Sequence, residues 1–308
     1  MSTVSNRVVI LFGPTAVGKT ATVENLNNDD RLPKPVVVVS ADSVQVYRGL
    51  DIGSAKPSLE ERQKLRHELI DILDPAETFC VADFVKRADL ACDDILSSGG
   101  LPVISGGTAY YVKAFLYGQP PTPPSDPAIR HDIQEMLARC SREALHAELQ
   151  QCDPLSAERI APADLYRISR AIEVFRCSGR PLSSYVPPTE RRKRWNSLVI
   201  GLDRPRTELY ARIDARVEAM MHAGLASEIA TLKQAGYGPG DPGMRAIGYA
   251  EFFSPELEPD DVVPAIKMHT RRYAKRQLTF MRSIPSVHWF EADDYEGVAC
   301  AIGDWLKE

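Results

Sequence analysis

The chain has no run of about 18 apolar residues, which excludes a membrane-spanning helix. It has no Cys-x-x-Cys pair. Its six cysteines (Cys80, Cys92, Cys140, Cys152, Cys177 and Cys300) are scattered, and with only six histidines nothing stands at zinc-ligand spacing. Reduced, mostly buried thiols are expected. There is no internal repeat and no low-complexity tail. The opening residues, Met1-Ser2-Thr3-Val4-Ser5-Asn6-Arg7, contain no apolar signal segment and lead straight into the first apolar run, so a cytoplasmic location is expected. Nor is there an overall excess of basic charge: the formal net charge is −5, which argues against a generic nucleic-acid binder. What remains, 308 residues with 44% hydrophobic content, suits one large globular domain or a core carrying an insertion.

The charge is unevenly spread. Residues 165–216 carry twelve Lys/Arg against five Asp/Glu, and residues 267–282 carry six Lys/Arg and no acid. Such local basic surface can hold a phosphate backbone while the rest of the protein stays acidic; otherwise these are solvated helix faces.

The most informative stretch is Gly13-Pro14-Thr15-Ala16-Val17-Gly18-Lys19-Thr20. It follows the apolar run Val8-Val9-Ile10-Leu11-Phe12, a buried strand, and precedes a segment able to be helical. The spacing is that of a phosphate-binding loop. Glycines let the backbone turn so that successive N–H groups face a phosphate, and the helix start adds its positive dipole end. Lys19 supplies a mobile charge for the outer phosphate, and the Thr20 hydroxyl is placed for Mg2+. Proteins with this loop commonly bind ATP or another nucleotide. The motif itself says neither which phosphate compound binds nor whether a P–O or a C–O bond breaks.

A second apolar run, Pro35-Val36-Val37-Val38-Val39-Ser40, ends in Ala41-Asp42-Ser43. In an open parallel sheet ligands sit at the carboxyl ends of the strands, so Asp42 shares the rim with the phosphate loop. A carboxylate there can accept a proton, bind Mg2+ through water, or cap a helix. Residues 45–57 read as an ordered loop near the site, residues 67–73 as a short strand ended by Asp74-Pro75, and residues 81–96 as a helix packed on the sheet. Leu101-Pro102-Val103-Ile104-Ser105 is another parallel strand, and Gly106-Gly107-Thr108 after it describes a tight approach to a ligand. The alternation predicts an α/β fold: a P-loop NTPase-like parallel sheet core.

Composition changes at Gly118. The run Gln119-Pro120-Pro121-Thr122-Pro123-Pro124-Ser125-Asp126-Pro127 is a stiff connector, and residues 128–152 and 164–177 read as helices. A helical insertion domain is therefore expected over 119–194, within a core formed by 1–118 and 195–308. Residues 198–202 return to the sheet, helices follow over 206–234 and 264–283, and Val287-His288-Trp289-Phe290 is a candidate last strand.

Several patches together resemble the tRNA dimethylallyltransferase family, the bacterial isopentenyl-transferring enzymes. They are the phosphate loop, Asp42-Ser43-Val44-Gln45-Val46-Tyr47, Asp51-Ile52-Gly53-Ser54-Ala55-Lys56-Pro57 and Gly106-Gly107-Thr108. Further along come Asp126-Pro127-Ala128-Ile129-Arg130, Arg167-Ile168-Ser169-Arg170-Ala171-Ile172-Glu173, Arg245-Ala246-Ile247-Gly248-Tyr249 and Arg271-Arg272-Tyr273-Ala274-Lys275-Arg276-Gln277. They span nearly the whole chain in the family's order. The resemblance implies transfer of a dimethylallyl group from its diphosphate to the exocyclic amine of the adenine 3′ of a tRNA anticodon. It further implies that residues 13–20 hold the diphosphate, with Lys19, Thr20-bound Mg2+ and Arg216 stabilising it. Asp42 would accept the amine's proton and Thr108 would hold the base in place. The family pattern assigns tRNA contacts to Asp42, Ser43, Val44, Gln45, Thr108, Arg130, Tyr166, Arg167, Ile168, Ser169, Arg170, Arg245, Gly248 and Tyr249. On sequence alone Arg216 can equally be a surface helical charge. Tyr166 departs from the polar residue that related bacterial chains often carry there. The zinc finger of eukaryotic relatives is missing, which points to the bacterial type, and a monomer is expected.

Three rivals share parts of this pattern: a P-loop kinase of a small molecule, which would produce ADP; an adenylate isopentenyltransferase, which uses the same donor on free AMP; and a non-catalytic tRNA-binding module. The first two have no need of so large a basic insertion, and the third has no need of an intact phosphate loop and Asp42.

Overall fold

The computed structural model describes residues 6–139 and 142–308, so the leading residues 1–5 and Cys140 lie outside the described part. The described residues fall into two units: one up to Leu116 and from Arg192 onward, the other Tyr117–Arg191.

In chain order the first unit starts with β1 (Arg7–Phe12), α1 (Lys19–Asn28), β2 (Val36–Ser40), α2 (Leu59–Lys64) and β3 (His67–Glu68). It continues with α3 (Val81–Ser97), β4 (Leu101–Gly106) and α4 (Ala109–Tyr117). The smaller unit is helical: α5 (Pro127–Arg139), α6 (Arg142–Cys152), α7 (Pro154–Arg159) and α8 (Leu165–Ser178). The chain then returns to the first unit with β5 (Asn196–Asp203), α9 (Arg206–His222), α10 (Leu225–Gln234), α11 (Val262–Met281), β6 (His288–Glu291) and α12 (Tyr295–Lys307).

The six strands form one sheet in the order β3-β2-β4-β1-β5-β6, and every neighbouring pair is parallel. All carboxyl ends therefore lie on one rim. Near-continuous apolar strands are what a parallel sheet covered on both faces requires, and Val8 to Phe12 are fully buried. On one face Val9, Leu11, Val103 and Ile200 pack with Val23 and Leu26 of α1, Leu209 and Ile213 of α9, and Val298 and Ile302 of α12. A second cluster gathers Val46, Leu50 and Leu73 with Val217 of α9, Ile229 of α10, Tyr249, and Ile266 of α11. It anchors the loops after β2 beside the rim. The cysteines are not mostly buried as expected: of the five described, all free, Cys80 and Cys300 are exposed, Cys152 and Cys177 are half-buried, and Cys92 on α3 is buried, which pushes its thiol well above the usual range.

Several elements differ from the sequence reading. The strand expected over 67–73 pairs only at His67 and Glu68. Beyond it Leu69 (φ 64°) and Asp71 (φ 57°) are left-handed, and Asp71 is held by Lys56 and Arg62 at 2.6 and 2.7 Å, which turns the chain off the sheet. The helix expected over 206–234 breaks at Gly224 (φ 99°), giving α9 and α10. Three helices, α2, α7 and α12, stand where none was read, and the helix expected over 128–152 is described as α5 and α6, with residues 140–141 between them outside the described part.

In the smaller unit Ile133, Leu145, Leu149, Ile168 and Ile172 make the core. Glu173 on α8 is buried beside it and accepts hydrogen bonds from Ser125 Oγ (2.5 Å), the Asp126 N–H (3.0 Å) and Arg170 (2.8 Å). Arg130 stands 3.4 Å from the same carboxylate. The proline-rich connector is thus tied to α8 by one buried acid.

Candidate active site

The phosphate loop leaves β1 at the centre of the sheet. Gly13 is required by close approach: a Cβ there would stand 2.8 Å from Val17 Cγ1 and 3.0 Å from the Leu202 carbonyl. Gly18 (φ 127°) enters α1, and Ala16 (φ 63°) is left-handed without being glycine. The first-turn N–H groups of α1 have no helical carbonyl to pair with and face the loop's interior. Lys19 Nζ donates to the Gly13 and Pro14 carbonyls at 2.8 and 3.0 Å. Outer residues brace the loop: Arg212 Nε donates to the Ala16 carbonyl at 2.9 Å and Arg204 Nε to that of Val17 at 3.1 Å. Gln277 on α11 accepts the Thr15 N–H at 3.0 Å.

Of the cavities along this rim, two meet at Thr15 and Asp42. The larger, about 590 Å³, is lined by the phosphate loop, Ser40, Gln45, Arg212 and Gln277. The smaller, about 350 Å³, has apolar walls from Ile213, Val217 and Met220 of α9 together with Ile247 and Ile266, and carries Ser43, Arg245, Gly248 and Arg276. Thr15, Asp42, Arg216 and Tyr273 belong to the walls of both.

Electrostatics at this join are those of an anion cradle facing a carboxylate. Burial and the nearby Arg216 guanidinium lower the Lys19 ammonium to about 8, against the pull of Asp42 in the other direction. Arg216 is lowered by burial, again opposed by Asp42. It is half-buried at the cavity wall rather than a surface helical charge. Tyr273 is pushed up to about 12 by burial and by the negative charge of Asp42. A Lys19 neutralised above about pH 8 attracts a diphosphate poorly. With such a ligand, kcat/KM for the free enzyme should fall about tenfold per pH unit above that point, while kcat, which reports the bound state, stays flat. A kcat/KM profile level to pH 9.5 would show that Lys19 keeps its proton well above that point, and a fall that persists in Lys19→Met would assign it to another group.

Asp42 Oδ1 accepts the N–H groups of Val44 (2.8 Å) and Gln45 (3.2 Å), so it caps the turn that follows β2. Thr108 Oγ1 accepts the Ser43 N–H at 3.1 Å, and the Thr108 N–H donates to the Ala41 carbonyl at 3.1 Å. Gly106 makes that approach possible, because a Cβ there would stand 2.2 Å from the Ala41 oxygen. Gln45 accepts from Ser40 Oγ at 3.0 Å and donates to the Ser54 and Ala55 carbonyls at 3.4 and 3.3 Å, which fixes the loop over residues 51–57.

Sequence reasoning named the residues of the join except Tyr273, which, like Gln277 in the wall of the larger cavity, stood in a matching patch without a role. Other named residues have different surroundings. Tyr249 is fully buried, its hydroxyl donating to Glu228 at 2.7 Å, and Ile168 lies in the core of the smaller unit; their side chains have no surface to offer a nucleic acid. Arg170 is committed to Glu173 and to the Pro123 carbonyl (2.7 Å). Tyr166, Arg167 and Ser169 lie on the same helix, and the side chains of Tyr166 and Arg167 are largely exposed. For a divalent cation, the cavity wall offers the Thr20 hydroxyl and, elsewhere along it, the carboxylates of Glu24 and Asp42; these are hard oxygens of the kind Mg2+ takes alongside waters, while no cluster of three acidic, histidine or cysteine ligands stands among the described residues.

Residues 45–284 match the family described as IPP transferase, and residues 6–77 match one described as isopentenyl transferase. A tRNA dimethylallyltransferase of Thermomicrobium roseum is 42% identical over 293 residues, covering 92% of this chain and 86% of that protein. The tRNA dimethylallyltransferase 2 of Geotalea uraniireducens is 40% identical, covering 96% and 95%. Among solved structures, the tRNA isopentenylpyrophosphate transferase of Bacillus halodurans superposes with a TM-score of 0.69 at 35% identity, covering 98% of this chain and 96% of that one. A eukaryotic dimethylallyltransferase acting on tRNA gives 0.78 at 24% identity, covering 98% and 80%, and so shares the fold.

Proposed function

The chain belongs to the IPP transferase family, and from that premise we infer that it transfers a dimethylallyl group from dimethylallyl diphosphate to the exocyclic amine of the adenine 3′-adjacent to a tRNA anticodon. The observation that carries the reading is the pair of cavities sharing Asp42 and Arg216: an anion cradle on one side, an apolar-walled chamber on the other.

The amine nitrogen attacks C1 of the allyl group, the C1–O bond breaks, and its electrons leave with diphosphate. Negative charge grows on the leaving group, where the first-turn N–H groups of α1, Lys19 and Arg216 stabilise it. Mg2+, held by Thr20 with carboxylate or water oxygens, would supply further charge stabilisation there. Asp42 takes the amine's proton through the oxygen that does not cap the turn. Thr108, fixed by Ser43 and Ala41, orients the base. An adenine in a stacked anticodon loop reaches this depth only by leaving the stack, at a cost of about a few kcal/mol. Flanking contacts offset that cost, and Ser43, Arg245 and the backbone at Gly248 line the chamber where they would be made. On this reading the enzyme is a monomer that acts in the cytoplasm.

The deciding experiment follows diphosphate release and acceptor mass with tRNA, with AMP, and with ATP plus small acceptors. Release with tRNA together with a gain of one dimethylallyl group on an anticodon-loop adenine is expected. Release with AMP alone, or formation of ADP, would overturn the assignment.

Arg167 on α8 is largely exposed and, among the described residues, pairs only with its own helix's N-cap Asp164, at 3.1 Å. As an RNA phosphate contact it releases about one counterion, so Arg167→Ala should weaken tRNA binding and reduce the log–log salt slope by about 1. Arg170→Ala, by contrast, removes a partner of the buried Glu173 and should lower stability. An unchanged slope in Arg167→Ala, measured by filter binding across a salt series, would show that this face of α8 does not meet phosphate.

A further inference from the structure

The Gln277 side chain is buried, 3% exposed, and has no part in the chemistry described above. Its amide joins two loops of the rim. Oε1 accepts the Thr15 N–H at 3.0 Å, and Nε2 donates to the Gly107 carbonyl at 2.6 Å. The partners fix which end of the amide faces which loop, since one offers a donor and the other an acceptor. The fit is close: a Cβ on Gly107 would stand 2.4 Å from Nε2. From Gly107 the connections run on through Thr108 to Ala41 and Ser43, and from Ser43 to the turn capped by Asp42. One buried amide thus ties the loop after β1 to the loops after β4 and β2.

We propose that Gln277 is a positioning residue for the group transfer, setting the spacing between the diphosphate cradle and the Asp42–Thr108 pair. The proposal rests on the prenyl-transfer reading. In-line displacement needs the amine nitrogen, C1 and the leaving oxygen aligned with reacting atoms roughly 3–3.5 Å apart, and a misplacement of about 1 Å costs on the order of 10²-fold. Gln277 fixes loops whose other groups bind the two substrates. Losing it therefore shifts one bound substrate against the other, and the loss falls on the chemical step.

Gln277→Met has similar length and makes neither hydrogen bond. Gly107→Ala reaches the same link from the other side by pressing on Nε2. Single-turnover rate, KM for dimethylallyl diphosphate, tRNA Kd and the urea unfolding midpoint are measured for both variants beside wild type. The expected result is a rate lower by roughly 30–100-fold in each, with KM and Kd within about threefold of wild type. A wild-type rate in either folded variant, or a loss carried by KM or Kd, overturns the proposal. Should Gln277→Met fail to fold, Gly107→Ala decides it alone, and Gln277→Glu replaces both if neither folds, because it keeps the acceptor for Thr15 and lacks the donor for Gly107. A wild type that forms no prenylated tRNA defeats the transfer reading itself, a result distinct from any of these.

Discussion

Asp42→Asn is expected to lower the single-turnover rate of tRNA prenylation on the order of 10²–10⁴-fold, the usual contribution of a general base, while tRNA affinity stays near wild type. Structure makes this substitution unusually clean. One carboxylate oxygen caps the turn after β2 by accepting the Val44 and Gln45 N–H groups, and an asparagine oxygen does that equally well. What asparagine lacks is a site for the proton. Loss of rate with an intact turn that added Mg2+ does not restore therefore reports the base, and full activity would reject it. Restoration by added Mg2+ would assign Asp42 to the metal's shell instead. The three roles left open by the sequence separate in one Mg2+ titration of one variant.

Lys19→Ala is the second large effect. Removing a charge aimed at the developing diphosphate should cost on the order of 10²–10³-fold in turnover, by analogy with loss of one anion-stabilising donor. The rise in KM for dimethylallyl diphosphate should be smaller, because the leaving group is more negative in the transition state than in the bound donor. Lys19 also holds the Gly13 and Pro14 carbonyls, so alanine loosens the loop as well. Lys19→Met, which restores the stem without the ammonium, separates the two: a charge effect persists in methionine, and a packing effect recovers. A change in KM alone would show that Lys19 binds the donor without acting on the departing diphosphate.

How far these residues could be read in advance depended on how local their signal was. The phosphate loop was legible because its chemistry is written in eight consecutive residues after an apolar strand. Asp42 and Thr108 were legible for a related reason, each closing an apolar run in a chain that alternates strand and helix. Gln277 stood in a matching patch, but its role was not legible, because it meets Thr15 across 262 residues. Ala16 adopts a left-handed backbone that a rule based on glycine passes over. Charge counting found the basic stretch around α8 but could not tell a free guanidinium from one already engaged. Arg167 and Arg170 look alike in sequence, and only the buried Glu173 distinguishes them. The short β3 was over-extended because its apolar pattern continues while Leu69 and Asp71 turn the backbone away.

The order of strands has a bearing on how this protein is made. β1 is one of the two central strands, flanked by β4 through pairs such as Val9↔Val103 and by β5 through pairs such as Arg7↔Asn196. A ribosome adds roughly 5–20 residues per second, so the segment from β1 to β4 leaves the tunnel several seconds before β5 exists. Throughout that interval the strand bearing the phosphate loop has one edge without a partner, the kind of edge that invites pairing with another chain. The helical unit over residues 117–191 is synthesised in the same interval and can bury its own core meanwhile. Tyr273 and Gln277 arrive later still. Nascent chains arrested before α11 would thus hold the loop and Asp42 without the helix that fixes their spacing, and a translation stall in this protein would yield an inactive, edge-exposed intermediate that falls to chaperones rather than a partly working enzyme.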